Sequence, residues 1–231
     1  MLTTYLVDIR RRLMICCGCY GVLFLAFFYW QNQLLQWLLK PLLQALHATD
    51  FIVATHIASP VLAPLHVASV AAWCCCLPLL LIQIWQFIRP ALYVKEQRWI
   101  KWVGSVSCIL FLSGMFFCFY AVLPFMFHLF SSMTPLGVHY FPELSAAVIF
   151  TIKMLILFGM AFQLPLVTVI LVRSKLMTYQ TLKTMRPYVI IIAFIIGMLL
   201  TPPDVMSQIL LAVPLCLLYE LGMLFLYCTS A

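Results

Sequence analysis

The sequence predicts an all-α integral membrane protein, and three observations predict it. Of its 231 residues, 66% are hydrophobic and only 8% are charged, with a mean hydropathy of +1.12. The apolar residues fall into six runs, and the basic residues collect in alternate gaps between them. A water-soluble domain of this size has no interior large enough for that apolar surplus, so a bilayer must serve as solvent.

The runs are Leu13–Trp30, Pro64–Gln86, Trp102–Phe130, Ala146–Val172, Tyr188–Leu200 and Val205–Tyr227. A crossing needs about 20 apolar residues to span a hydrocarbon core of about 30 Å. Every run meets or approaches that length except Tyr188–Leu200, whose 13 residues make a helix of about 20 Å. It still counts as a crossing, because the charges require one. Arg10–Arg12 form the first basic cluster, Arg89, Lys95, Arg98 and Lys101 the second, and Arg173, Lys175, Lys183 and Arg186 the third. Only Lys40 and Lys153 stand elsewhere. By the positive-inside rule the clusters are cytoplasmic, which gives six crossings with both termini inside. The net charge of +7 then reflects topology and contact with lipid headgroups rather than nucleic-acid binding. No small-residue cleavage site follows the first arginines, and no linker divides the chain. One membrane domain over residues 1–231 is expected.

The ten cysteines suggest no metal, cofactor or disulfide framework. Cys74, Cys75 and Cys76 point about 100° apart on a helix and cannot converge on one ion. Cys16 and Cys19 have CxxC spacing inside the first run, where cysteine behaves as a small hydrophobe.

Between the first two runs, Leu34–Pro41 reads as an amphipathic helix, with Trp30 and Trp37 suited to an interfacial belt. Ser59 before Pro60 reads as a helix cap. The segment Ser131–Ser145 joins the third and fourth runs. The last connection, Thr201-Pro-Pro-Asp204, is a sharp turn in which Thr201 suits an N-cap and Asp204 its capping-box partner. A short fifth helix places this hairpin in a recess or in a locally thinned bilayer.

Lys153 and Glu220 are ionisable residues inside runs, and Gln163 and Gln208 are amides there. Counting inward from the outer ends, Lys153 lies at roughly 10 Å and Gln208 at roughly 6 Å, while Gln163 and Glu220 both lie near roughly 25 Å. Two readings stand for Lys153, snorkelling or pairing with a partner helix. Two stand for Gln163, repair of the helix broken by Pro165 or contact with another subunit.

Two carboxylates lie near the basic clusters. Asp8 has Arg11 and Arg12 at i+3 and i+4, so helical spacing alone accounts for it as an internal pair. Glu96 has Leu92, Tyr93, Trp99 and Ile100 at those spacings and no basic neighbour. It is suited to a guanidinium from outside, paired in a fork and stacked on a ring.

These residues resemble the TatC family, the multispanning subunit of the twin-arginine protein translocase. The resemblance rests on Leu6-Val-Asp-Ile-Arg-Arg-Arg-Leu13, Ala58-Ser-Pro60, Gln83 through Glu96, Phe158-Gly-Met-Ala-Phe-Gln-Leu-Pro165, Arg186-Pro-Tyr188 and Gly197-Met-Leu-Leu-Thr-Pro-Pro-Asp204. It implies a cup-like bundle of six helices in the bacterial cytoplasmic (inner) membrane. It also implies a receptor for twin-arginine signal peptides of folded cargo, with no enzymatic activity and no cofactor. Asp8 and Glu96 match carboxylates that meet the two signal arginines, with Arg10 and Phe87 at functional positions beside them. Gln163, Met198, Thr201 and Gln208 match the docking face for TatA-like and TatB-like single-span subunits, within a receptor complex that is itself a homo-oligomer. Pro41 and Asp204 match functional outer-loop positions. Three positions depart from the family pattern: Gln163 replaces a common Glu, His56 a common Asp, and Lys153 an apolar residue. Lys153 is accordingly expected to compensate by pairing with an acid on a partner helix. The alternative from the residues alone is a secondary transporter using Lys153 and Glu220, against which stands the lack of an internal repeat.

Overall fold

The structure, a computed structural model, describes residues 2–45, 52–55, 57–88, 97–133, 141–174, 176–201 and 205–230. Among them, helices long and apolar enough to cross a membrane cover Arg10–Tyr29, Ser59–Leu80, Val103–Ser132, Leu144–Arg173 and Val205–Cys228. A shorter apolar helix covers Arg186–Leu200. The sequence therefore places all six runs on helices, and the fifth is indeed short: 15 residues, or about 22 Å. The chain divides into two compact units, one of residues Met1–Cys108 with Phe130–Ile152, the other of Ile109–Leu129 with Lys153–Ala231.

In the first unit, α1 (Leu2–Tyr29) packs along α3 (Ser59–Ile88). Tyr20 ties the two helices, its hydroxyl 2.9 Å from Ser69 Oγ and its ring 5.2 Å from that of Trp73. A single residue, Trp30, separates α1 from α2 (Gln31–Ala45). The expected amphipathic segment is this helix: it buries Leu38, Leu39, Pro41 and Leu42 and packs on α3. Pro41 has no N–H to offer the Trp37 carbonyl, so its place inside a helix rests on the burial of its ring.

The loops that flank these helices are laced together. Val53 forms a parallel bridge with Glu143: its N–H donates to the Pro142 carbonyl (3.1 Å), and its own carbonyl accepts from Leu144 N–H (2.9 Å). Ser145 donates to Ser59 Oγ at 2.9 Å. This corrects the capping role expected of Ser59. The Ala58 carbonyl takes the first helical bonds, from Val61 and Leu62, and the buried Ser59 hydroxyl holds the neighbouring segment instead.

The second unit takes the end of α4 (Gln97–Phe117), a π-turn over Cys118–Val122, most of α5 (Leu123–Ser132) and the end of α6 (Leu144–Ala161). The π-turn has a local cause. Pro124 has no N–H and its ring crowds the carbonyl of Tyr120, so the preceding turn widens and Leu123 N–H donates to Cys118 O. Close helix approach then depends on glycine. A Cβ on Gly159 would meet the Phe111 ring at 2.6 Å, and one on Gly114 would meet the Phe158 carbonyl at 2.5 Å.

The fourth run breaks at Phe162 and Gln163 before α7 (Leu164–Arg173), since Pro165 at the start of α7 cannot continue a ladder from α6. After α8 (Tyr179–Thr184), α9 (Arg186–Leu200) and α10 (Val205–Ser230) run as a hairpin, with α10 packed on both α7 and α9. Val169, Leu182, Tyr219, Met223 and Leu226 form the apolar core of this part. Thr201 ends α9: its φ/ψ of −101/158 is extended, and its N–H and hydroxyl both donate to the Gly197 carbonyl; the N-cap bonds expected of it toward α10 fall on residues 202–204, outside the described residues. A side-chain bond within the preceding turn is cheaper there than an exposed carbonyl in a membrane. Asp204, its expected capping partner, and His56 lie outside the described residues.

Candidate functional site

Two groups of polar residues follow from the sequence, one where the head of α1 meets the end of α3, the other on the membrane helices of the second unit. In the first group, α1 continues unbroken from Leu2 into its apolar stretch, so Asp8 and Arg10–Arg12 share one helix. The Asp8 side chain and all of Glu96 lie outside the described residues, as does the Phe87 side chain, although its backbone lies in the last turn of α3. Arg10 and Arg11 are exposed. Arg12 is half-buried, and its Nη1 donates to the Gln83 carbonyl on α3 at 3.0 Å. That bond lays the guanidinium across a cleft of about 360 Å³ between α1 and α3. Arg11, Arg12 and Gln83 line it together with the apolar Ile15, Leu79 and Ile82. Cys16 and Cys19 also line it, and Cys76 on α3 donates its thiol to the Cys16 carbonyl at 3.7 Å. All ten cysteines are thiols, and no cluster of His, Cys, Asp or Glu among the described residues is arranged to hold a metal ion.

The second group does not share one exposure. Lys153 and Met198 face outward, Met198 with 57% of its surface exposed. Gln163 is 7% exposed and Thr201 is buried. Gln208 is half-buried; its Nε2 donates to the Phe194 carbonyl at 3.3 Å, and its Cγ lies 3.1 Å from where a Cβ on Gly197 would stand. So α9 and α10 meet closely at Gly197 and Gln208, and the Thr201 hydroxyl closes the end of the same helix. Pro41 belongs to the other unit, in the buried face of α2.

Glu220 has a partner that sequence reasoning did not name. Arg186, the first residue of α9, donates from Nη2 to Glu220 Oε2 at 2.7 Å. The signal was available in the depth count, which put Glu220 near the inner end of its helix, level with the basic cluster that contains Arg186. Counting Arg186 only as a topology charge hid the pair. Lys153 is not this carboxylate's partner. Next to the pair, Tyr219 donates its hydroxyl to the Leu182 carbonyl at 2.7 Å, which joins α10 to α8.

Three comparisons agree on what this arrangement is similar to. The family described as Sec-independent protein translocase protein (TatC) matches residues 4–214. The TatC protein of Haemophilus influenzae is 40% identical over 223 residues, covering 96% of this chain and 87% of that one. The TatC protein of Escherichia coli strain K12 is 35% identical over 224 residues, covering 97% and 87%. A crystal structure described as twin arginine translocase receptor TatC superposes with a TM-score of 0.85 at 28% identity, covering 98% of this chain and all of that chain.

Proposed function

The chain belongs to the TatC family of Sec-independent translocase proteins, a non-catalytic membrane component, and from that premise we propose that it is the receptor for twin-arginine signal peptides. Its place is the bacterial inner membrane, with both termini in the cytoplasm. The observation that carries the reading is the course of α1, an unbroken helix from Leu2 through Tyr29 whose apolar stretch opens at Arg10. Asp8 therefore stands about 3 Å of helical rise from the membrane boundary, where charge pairs are screened less than in open water. Asp8 and Glu96 receive the two signal arginines, with Arg10 and Phe87 beside them. A guanidinium fills a carboxylate with two parallel bonds, whereas an ammonium gives only one point contact.

The same reading makes the membrane helices the docking ground for TatA-like and TatB-like single-span subunits and for further copies of this chain. Exposed Lys153 and Met198 are its outward contacts; Gln163, Thr201 and Gln208 support them from within. Photocrosslinkers at Met198 and Lys153 should capture a single-span helix, and capture only from an unrelated face would remove this part of the proposal.

The central test is binding of a fluorescent twin-arginine peptide to the purified protein in nanodiscs. Replacing the arginine pair by lysines should weaken binding at least about tenfold, or about 1.4 kcal/mol, as should Glu96→Gln. Equal affinity for both peptides would overturn the receptor assignment.

A further inference from the structure

The cleft between α1 and α3 does not suit the cationic ligand just proposed. Its charged walls are guanidiniums, and no carboxylate among the described residues lines it. Arg12 is fixed across it by the bond to Gln83, which leaves the rest of its fork free of described partners. Arg11 makes no hydrogen bond or ion pair among the described residues. A peptide carrying arginines would be repelled here, so the complementary ligand is an anion.

The remaining walls say what kind of anion. Ile15, Leu79 and Ile82 are apolar, and Leu79 is exposed on the surface of α3. Arg11 and Arg12 are the second and third residues of the apolar stretch that opens at Arg10, so their side chains stand at the depth of headgroup phosphates. A free anion would gain nothing from the leucine and isoleucine walls. A phosphate that carries acyl chains uses both surfaces.

We propose that this cleft is a binding site for an anionic glycerophospholipid of the inner leaflet. The phosphate accepts from the guanidiniums of Arg11 and Arg12, and the chains follow Ile15, Leu79 and Ile82 along the seam of the two helices. The site goes beyond the receptor reading and does not depend on it, because its ligand is an anion held by Arg11 and Arg12, whereas the receptor reading places a cation on Asp8 and Glu96.

The test is native mass spectrometry and thermal unfolding of the full chain in detergent, with phosphatidylglycerol or phosphatidylcholine added in turn. The protein should retain phosphatidylglycerol in preference, by about ten- to thirtyfold for two cationic contacts. Arg11→Gln with Arg12→Gln should bring retention down to that of phosphatidylcholine. Arg173→Gln with Lys183→Gln, in another basic cluster, should leave it unchanged. Leu79→Trp keeps both charges but fills the cleft from an exposed position, and should abolish the preference even if the arginine variant fails to fold. Inorganic phosphate is the second probe. Stabilisation by phosphate alone equal to that by the lipid would overturn the lipid assignment, as would undiminished phosphatidylglycerol retention in the arginine or Leu79→Trp variants. Twin-arginine peptide binding, measured on the same samples, reports separately on the receptor reading.

Discussion

Around α7 to α10 in the second unit, several polar side chains find partners inside the chain, while Arg10 and Arg11 at the head of α1 in the first unit find none among the described residues. Around α7 to α10, Arg186 meets Glu220, Tyr219 meets the Leu182 carbonyl, Thr168 the Pro165 carbonyl, and Thr201 the Gly197 carbonyl. Each is a short contact within or between neighbouring helices. At the head of α1, Arg10 and Arg11 are exposed and make no bond among the described residues. In a membrane the first pattern is what a self-contained helical hairpin requires, because a polar group without a partner is expensive there. The second pattern places charge where the bilayer meets water, available to something outside the chain. Internal pairing marks a structural role; charge without a partner marks a ligand-facing one.

The strongest way to break this contrast is to disturb the seam that makes the second unit self-contained. A Cβ on Gly222 would stand 2.5 Å from Thr168 Oγ1 and 2.8 Å from Pro165 Cα. The proline backbone cannot move aside without shifting α7. Gly222→Val should therefore destabilise the protein by at least about 3 kcal/mol, read as a large fall in the thermal midpoint in detergent. A midpoint near that of the unaltered protein would show that α7 and α10 are not locked together. Gly197→Ala is the milder control, since the contact there is the flexible Gln208 side chain at 3.1 Å.

The helices were legible in the sequence because a membrane makes hydropathy nearly sufficient. Length, runs and basic clusters placed all six, down to the short one that starts at Arg186. What stayed illegible was pairing between residues far apart in the chain. Glu220 and Arg186 are 34 residues apart, and Ser59 and Ser145 are 86 apart. No local rule joins them; the capping rule drew Ser59 toward the helix that follows it in sequence. The structure gives the Ser59 hydroxyl to Ser145 in the first turn of α6. The π-turn before Pro124 was equally hidden, since a proline in an apolar run announces a disturbance but not its form.

A smaller effect tests the ion pair itself. Arg186 and Glu220 are 38% and 47% exposed, so solvent and headgroups screen them. Glu220→Gln should cost about 1 kcal/mol, somewhat more than a water-exposed pair, because Arg186 Nε is already buried without a hydrogen-bond partner. Arg186→Met combined with Glu220→Leu should recover most of that loss, since an apolar pair of similar volume needs no compensation. A double-mutant cycle on thermal unfolding measures the coupling; a coupling energy of zero would remove the pair from the structural side of the contrast.

The smallest effect is also the most discriminating, because it separates two neighbouring arginines of one helix. Arg12 donates to the Gln83 carbonyl and so joins α1 to α3, whereas Arg11 joins nothing among the described residues. In detergent without lipid, Arg12→Gln should cost about 1 kcal/mol and Arg11→Gln less than about 0.5 kcal/mol. With phosphatidylglycerol present the order should change. The unaltered protein gains stability from a ligand that binds only the folded state, and each single variant should lose a large part of that gain. Arg11 would then matter to stability only through what it binds. If Arg11→Gln were as damaging without lipid as with it, Arg11 would be a structural residue after all, and the head of α1 would resemble the second unit rather than differ from it.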